Sequence, residues 1–375
     1  MKRYLLLFFA AISVVFIDAG PGFAQGCVAI KNMPCTALPG FENHSSQSDS
    51  VAGSAKWEVS LNYRYFKSYK HFVGDVEQKQ RVEQGTEVIN KVHSFDIGVV
   101  HNIKDRFIAS LIVPVYFNNR SSMYEHYGNS TGSNPERKRF STQSDGIGDM
   151  RITLSSWILN PKKRHKGNIA LGLGLKLPTG NAEVLDDFHK RTSTGADSTI
   201  RKAVDQSIQL GDGGFGFSVE AQGYQRLFKN ASLFYSGFYL FSPRNTNNNY
   251  RGSNNPITKY NSVPDQFAFR LGMTYSMLKT KNLSATLCGR VEGLPAHDLI
   301  GKSDGFRRPG YIVSVEPGVG YRTKHVTYQL NLPVAVYRNR TKSVDDLSDP
   351  SGNKHGDAAF ADYLLNIGIT YNLGK

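Results

Sequence analysis

The sequence predicts an all-β protein, a single antiparallel transmembrane β-barrel of about twelve strands with short turns on one rim and long loops on the other. Three observations predict it. Apolar and polar residues alternate with a period of two in twelve separate runs. The connections between those runs are long and short by turns. The two faces that the alternation creates carry incompatible chemistry.

The chain opens with Lys2 and Arg3, an apolar stretch from Tyr4 to Phe16, and small residues Gly22 and Ala24 flanking Phe23. These are the charged, apolar and cleavage regions of a secretory signal peptide over residues 1–24, and the apolar stretch is too short to cross a bilayer as a helix. Residues 25–55 then form a periplasmic N-terminal segment, and 56–375 form the barrel. Cys27 and Cys35 both lie in that segment, where an oxidising compartment permits a bridge between them. Ala24-Gln25-Gly26-Cys27 superficially resembles a lipoprotein processing site but lacks the branched aliphatic residue three places before the cysteine. Cys288, alone inside a strand-like run, reads as a small packed residue.

The runs follow in order. Residues 57–67 place Trp57, Val59, Leu61, Tyr63 and Tyr65 on one face and Glu58, Ser60, Asn62 and Arg64 on the other. A run at 95–102 precedes one at 107–117, which gathers Phe107, Ala109, Leu111, Val113, Val115 and Phe117. Residues 150–158 set Met150, Ile152, Leu154 and Ile158 against Arg151, Thr153 and Ser155, and Ile169 to Leu177 alternate with Ala170, Gly172, Gly174 and Lys176. Further runs lie near 214–226, 231–242, 266–277, 283–294, 311–322, 326–337 and 362–373. Short joins follow the even runs: Asn102 to Arg106, Asn160 to Gly167, Leu227 to Ala231, Lys279 to Asn282 and Arg322 to His325. The joins after odd runs are polar and roughly 15 to 35 residues long, and a soluble sandwich has no reason to sort its loops by parity.

The polar face bears Glu58, Arg64, Arg151, Lys176, Glu220, Arg270, Arg290, Glu292 and Glu316, with Asp149 at the opening of the fourth run. Charges of mixed sign in such number cannot occupy a dry sandwich core without a large desolvation cost. They can line a wet lumen, and these ten residues are the candidate lumen lining. The apolar face then meets lipid, where only a closed barrel leaves no strand edge unpaired. Trp57, Phe107, Phe117, Tyr239, Tyr311, Tyr321, Tyr337 and Tyr371 sit at run ends, as interfacial girdles require.

Other features carry less. The 45 Lys+Arg against 31 Asp+Glu give a net +14. Export argues against a nucleic-acid partner, so the basic charge is assigned to outer-membrane lipid phosphates, including lipopolysaccharide, or to anionic solutes. Past the first 25 residues no apolar run approaches the roughly 18 to 20 residues of a membrane helix. Gly211, Gly213 and Gly216 match G-x-G-x-x-G, but Phe215, Phe217, Val219 and Ala221 continue as a strand, not a helix. The basic cluster Lys162, Lys163, Arg164 and Lys166 falls in a periplasmic turn. Asp345, Asp346 and Asp349, or Asp186 with Asp187, offer carboxylates without EF-hand spacing. G-x-S-x-G is missing; His297, Asp298 and Ser303 crowd one outer loop, and His93, His101 and His325 lie near strand ends. No catalytic set, metal site or cofactor is expected.

Gly146-Ile147-Gly148-Asp149-Met150-Arg151, opening the fourth strand, and Leu173-Gly174-Leu175-Lys176-Leu177-Pro178-Thr179-Gly180-Asn181, closing the fifth, resemble paired signatures of a known group. These are the G-x-G-D and L-P-T-G motifs of outer-membrane barrels catalogued as meta-pathway phenol-degradation proteins. The resemblance implies an outer-membrane β-barrel that acts as a channel for aromatic or other hydrophobic small molecules. Physically, Gly146 and Gly148 relax the chain leaving a long loop, Asp149 turns inward near Arg151 for an ion pair between neighbouring strands, and Pro178 with Gly180 ends the fifth strand. Outer-membrane barrels usually end on an aromatic residue, whereas this chain ends Leu373-Gly374-Lys375. The sequence therefore points to a monomeric, non-enzymatic channel or transporter with a restricted pore, since twelve strands lie between side-chain-filled eight-stranded barrels and open porins. A lipid hydrolase using His297 and Ser303, or a surface adhesion barrel, are the alternatives.

Overall fold

The computed structural model describes residues 55–104, 106–161, 166–277 and 282–373. The signal peptide, the Cys27 and Cys35 pair, and Lys162, Lys163 and Arg164 lie outside the described residues. Twelve strands form the barrel wall. They are β1 (Trp57–Val73), β2 (Ile89–Ile103), β3 (Phe107–Ser122), β4 (Phe140–Ile147 and Met150–Trp157), β5 (Gly167–Leu177) and β6 (Gly216–Phe228). The circuit continues through β7 (Ala231–Phe241), β8 (Gln266–Ser276), β9 (Leu283–Leu294), β10 (Gly310–Arg322), β11 (Val326–Asn331 and Val334–Asn339) and β12 (Ala358–Ala361 and Leu365–Leu373). Each pairs antiparallel with its sequence neighbours, and β12 returns to β1 with Trp57 opposite Leu373 and Tyr65 opposite Leu365.

The side chains sort as the alternation requires. Leu171, Leu173 and Leu175 are 50%, 68% and 43% exposed, whereas Lys176, one residue on, is fully covered. At the short-turn rim Trp57 stacks on His101 with ring centroids 4.1 Å apart, near Phe107, Tyr321 and Tyr371, which are also exposed. Toward the other rim Tyr63, Tyr65, Phe95 and Phe117 form an aromatic row across β1, β2 and β3. Just above it, Lys67, Lys91, Asn119 and Gln143 fall in register on the outer surface of β1 to β4. Ten strand steps separate Trp57 from Lys67; at about 3.3 Å each and a tilt of about 40° they rise about 25 Å, the height of a lipid-facing band.

Four strands on one side of the barrel run longer than the alternation indicates, the first being β1, which continues past residue 67 to Val73. β2 begins at Ile89, not near residue 95, β3 continues to Ser122, and β4 acquires the upper segment Phe140–Ile147. Stretches such as Asn118 to Ser122 and Ser141 to Asp145 are polar on both faces, so an apolar tally has little to count there. β11 breaks at Leu332-Pro333, where Pro333 has no N–H for the ladder. The joins after even strands are short turns and those after odd strands are long, as predicted. The longest, between β5 and β6, carries a hairpin of Leu185–Arg191 with Asp197–Ala203 and a 3-10 turn, Gln206–Ile208.

A charge in the lipid-facing band should oppose folding. Leu173→Lys is expected to destabilise the barrel by about 2–4 kcal/mol in urea titrations from lipid vesicles. Leu185→Lys, in the loop hairpin, should leave the transition unmoved.

Candidate functional site

All ten charged candidates are buried on the inner face: Glu58, Arg64, Asp149, Arg151, Lys176, Glu220, Arg270, Arg290, Glu292 and Glu316. Several join in pairs that skip a strand. Arg151 on β4 reaches Glu220 on β6, which also accepts from Thr153 at 3.0 Å and Ser218 at 2.8 Å. β5 lies between them. A Cβ on its Gly174 would sit 2.3 Å from Ser218 Oγ and 2.7 Å from Glu220 Oε1, so only glycine leaves room for this chord. Arg270 on β8 pairs with Glu316 on β10 across β9, whose Arg290 lies 2.8 Å from Glu292 and 3.5 Å from Glu316. Glu58 accepts from Asn102 at 2.9 Å, and Arg64 stands diagonal to Asp96 of β2.

Asp149 has its cross-strand ion-pair partner in Lys176 of β5, 3.9 Å away, but its hydrogen bonds go to backbone. Its neighbour Arg151 is taken by Glu220, and Asp149 instead accepts the Gly180 N–H on Oδ1 at 3.0 Å and the Asp212 N–H on Oδ2 at 3.1 Å. Thr179 Oγ1 donates to the Gly148 carbonyl at 2.8 Å and accepts the Met150 N–H at 2.9 Å. Lys176 pairs with Asp212 and stands 3.9 Å from Asp149. The G-x-G-D motif, the L-P-T-G motif and the Gly211 turn thus meet in one junction around Asp149. The contacts are close: a Cβ on Gly211 would lie 2.4 Å from Asp149 Oδ1, and one on Gly148 would lie 2.3 Å from the Tyr116 ring. A structural role accounts for all three glycine motifs.

That junction holds the end of the longest loop inside the barrel. Ile208, Gln209 and Leu210 are buried, and the Ile208 carbonyl accepts from Asn118 at 3.3 Å and from Ser144. Beside this inward segment is a cavity of about 110 Å³, walled by Phe66, Val92, Tyr116, Leu210 and Leu294, with Arg64 and Gln266 among its polar groups. A second cavity of about 240 Å³ lies outward of it, bordered by His71, Arg81, Arg120, Tyr124, Arg308 and Asp357. At the short-turn end Val100, Ile108, Trp157, Ala170, Tyr224, Phe234 and Cys288 pack together as an inward apolar layer. The wet lumen expected from the charged residues is therefore interrupted at that end. The parity of Trp157 with Arg151 and of Tyr224 with Glu220 on their own strands was the available signal.

Electrostatics tie the loops to the mouth. Arg308 donates from Nη1 and Nη2 to the two Asp205 carboxylate oxygens, each at 2.8 Å, while Arg120 holds Glu125 and stands 3.6 Å from Asp205. Burial pushes the Asp205 carboxyl up, but Arg120 and Arg308 outweigh it and hold the group well below the usual carboxylate range. His126, in the β3–β4 loop, stacks on Phe188 of the loop hairpin and accepts the His189 N–H on Nδ1 at 3.1 Å. Burial pulls its pKa from 6.5 to about 4, against Glu125 and with help from His189, Lys190 and Lys202.

The remaining loop candidates are occupied structurally. Asp298 forms a bidentate pair with Arg307 at 2.7 and 2.6 Å, and Ser303 Oγ accepts the Asp298 N–H at 2.8 Å. No imidazole contacts that hydroxyl among the described contacts, so the trio is not arranged as nucleophile and base. Asp346 completes a capping box with Ser343, Asp345 pairs with Lys354, and Asp349 accepts from Ser351. Asp186 accepts the Gln143 N–H at 2.7 Å and Asp187 pairs with Arg201.

No family model matches the chain, and no curated protein is significantly similar to it. The resemblance to the phenol-degradation group rests on its two glycine motifs alone. Solved structures do share the fold. The COG4313 outer membrane channel from Pseudomonas putida F1 superposes with a TM-score of 0.56 at 11% identity, over 90% of this chain and 99% of that one. Looser matches include the beta domain of the Bordetella autotransporter BrkA (0.45, 12% identity, 85% and 100% covered) and the P. putida toluene transporter TodX (0.42, 9%, 86% and 91%). At such identities the likeness establishes the architecture, a closed twelve-stranded barrel of the outer-membrane kind.

Two outcomes follow from this geometry. Asp149→Ala leaves the Gly180 and Asp212 N–H groups without their acceptor and should cost about 3 kcal/mol in vesicle unfolding, with faster proteolysis at 205–212. The lowered His126 pKa means that the undocked loop binds a proton that the docked loop does not, between about 4 and 6.5. Docking is complete above that window and weakens as pH falls through it. The 185–203 hairpin should be cleaved faster near pH 5 than near pH 7.5, a difference that His126→Phe, which keeps a packed ring, should abolish.

Proposed function

We propose that this chain is a bacterial outer-membrane channel that carries small molecules through a lumen narrowed by its own side chains and by the inward β5–β6 segment. The observation that carries the reading is the inner wall. Its charges are arranged in pairs, yet polar atoms such as Asn62 Oδ1, Gln222 Oε1 and both amide atoms of Asn366 have no partner among the described residues. Buried polar groups of that kind call for water, and a hydrated, charge-lined interior inside a lipid-facing cylinder is what a solute path needs. A structural stave of the membrane would be better served by an apolar filling.

The cavity wall supports a narrower statement. Phe66, Val92, Tyr116 and Leu294 beside Arg64 and Gln266 suit a permeant with an apolar body and a polar end. That agrees with the aromatic and hydrophobic solutes implied by the glycine-motif resemblance. The protein works as a monomer among outer-membrane lipids and lipopolysaccharide, its Trp57 and Tyr371 rows at one interface and its Lys67 row near the other. It needs no cofactor and performs no covalent chemistry.

In planar bilayers the purified chain should give small stepwise currents, below those of a sixteen-stranded porin. Deleting residues 206–211 should enlarge each step. A chain that passes neither current nor any tested solute in liposome swelling would overturn the reading.

A further inference from the structure

The two cavities meet at one ion pair. Arg308 borders both, and its partner Asp205 belongs to the start of the inward segment. Asp205 is buried and also faces Arg120, whose Nη1 donates to Ser207 Oγ at 3.3 Å and to Asn90 at 3.0 Å. The Asp205 side chain in turn accepts the Ser207 N–H at 3.0 Å, so the carboxylate that holds Arg308 also caps the 3-10 turn of the inward segment. Anything that releases Asp205 from its arginines loosens the barrier between outer and inner cavity.

The local charge favours an anion. Arg120, Arg251 and Arg308 all act on Asp205, and Glu125 balances Arg120. Arg251 lies with its guanidinium 3.5 Å from the Phe306 ring centroid and donates to Asn261 at 3.1 Å. Among the described residues no carboxylate lies within 4.0 Å of it. Counting Arg81 with Asp357, which Arg308 also faces, four guanidiniums stand among three carboxylates of the described residues. Asp357 at the outer cavity is shared by Arg81 and His71.

Building on the channel reading, we propose that Arg308, with Arg120 and Arg251, forms a carboxylate-exchange site for small organic anions. A monocarboxylate in the outer cavity replaces Asp205 on the Arg308 fork, one carboxylate for another, and then passes inward as Asp205 returns. The outer cavity, about 240 Å³, has room for such a molecule, equal to about eight waters at about 30 Å³ each. Beyond the fork, Phe66, Val92, Tyr116 and Leu210 receive its apolar body. Competition from the tethered Asp205 keeps binding weak, as passage demands, because a bound permeant must also leave.

Benzoate and its neutral counterpart benzamide separate the possibilities. In proteoliposomes of the full chain, benzoate should enter several times faster than benzamide, and inorganic phosphate should compete poorly because it lacks the apolar body. Arg308→Gln should slow benzoate about tenfold, the loss of one charge-assisted fork, while benzamide entry is unchanged. Arg308→Lys, which keeps the charge but not the fork, should fall between. Asp205→Asn removes the competitor and should tighten benzoate binding about tenfold in calorimetry. Equal entry of the two solutes in wild type and variants, with unchanged benzoate binding, would overturn the exchange site while leaving a channel. Should neither solute enter, the channel reading fails, and the calorimetry of Arg308→Gln and Asp205→Asn still decides the site. If Arg308→Gln does not refold to a heat-modifiable barrel, Arg308→Lys and Asp205→Asn carry the comparison.

Discussion

The structure depends on one requirement, that every backbone N–H and C=O in hydrocarbon find a partner within the wall. Pairing β12 back onto β1 meets it, and the rest follows from the closed cylinder. A side chain then has only two destinations, so a period-two sequence must place one set against lipid and the other inside. Leu173 and Lys176, three positions apart, lie on opposite sides of the same sheet for that reason alone.

Closure also decides how the interior charges are used. Across a curved inner wall, residues two strands apart approach each other, and Arg151 and Arg270 find their carboxylates by spanning an intervening strand. Such pairs stand between a desolvation cost and a Coulombic gain, and breaking one leaves an uncompensated charge. They brace the barrel and at the same time set a polar path. The apolar layer around Trp157 and Phe234 closes one side of that path toward the short-turn end, while Asp149 and the Arg308–Asp205 pair hold the long loop within the other. The lumen is thus shaped by two opposed devices, a packed layer below and a tethered segment above.

The loop tether shows how one short motif acquires meaning through its partners. Asp149 is separated from Gly180 by two strands and the turn between them, and Gly180 from Asp212 by most of the longest loop, yet all three share a set of hydrogen bonds. The neighbouring Arg151 in sequence is irrelevant to it. Close approach of backbone at Gly148, Gly180 and Gly211 makes the junction possible, which is why glycine recurs in each segment.

By itself the sequence determined the strand count, the polar and apolar faces of the alternating runs and the rim on which the long loops gather, but it did not single out Asp96, Arg120 and Arg338, which are buried strand charges like the ten candidates. Those properties are local, since alternation and turn chemistry act within a few residues. Legibility ended at the upper extensions of β1 to β4, where apolar residues are too few to alternate, and at the apolar inner layer, where Trp157 and Tyr224 share the parity of charged residues on their strands. Only the tertiary structure decided which charge meets which, that Asp149 serves Gly180 and Asp212, and that residues 205–212 fold into the lumen. These outcomes depend on the curvature of a closed wall and on the landing place of a long loop, distances that no spacing along the chain encodes.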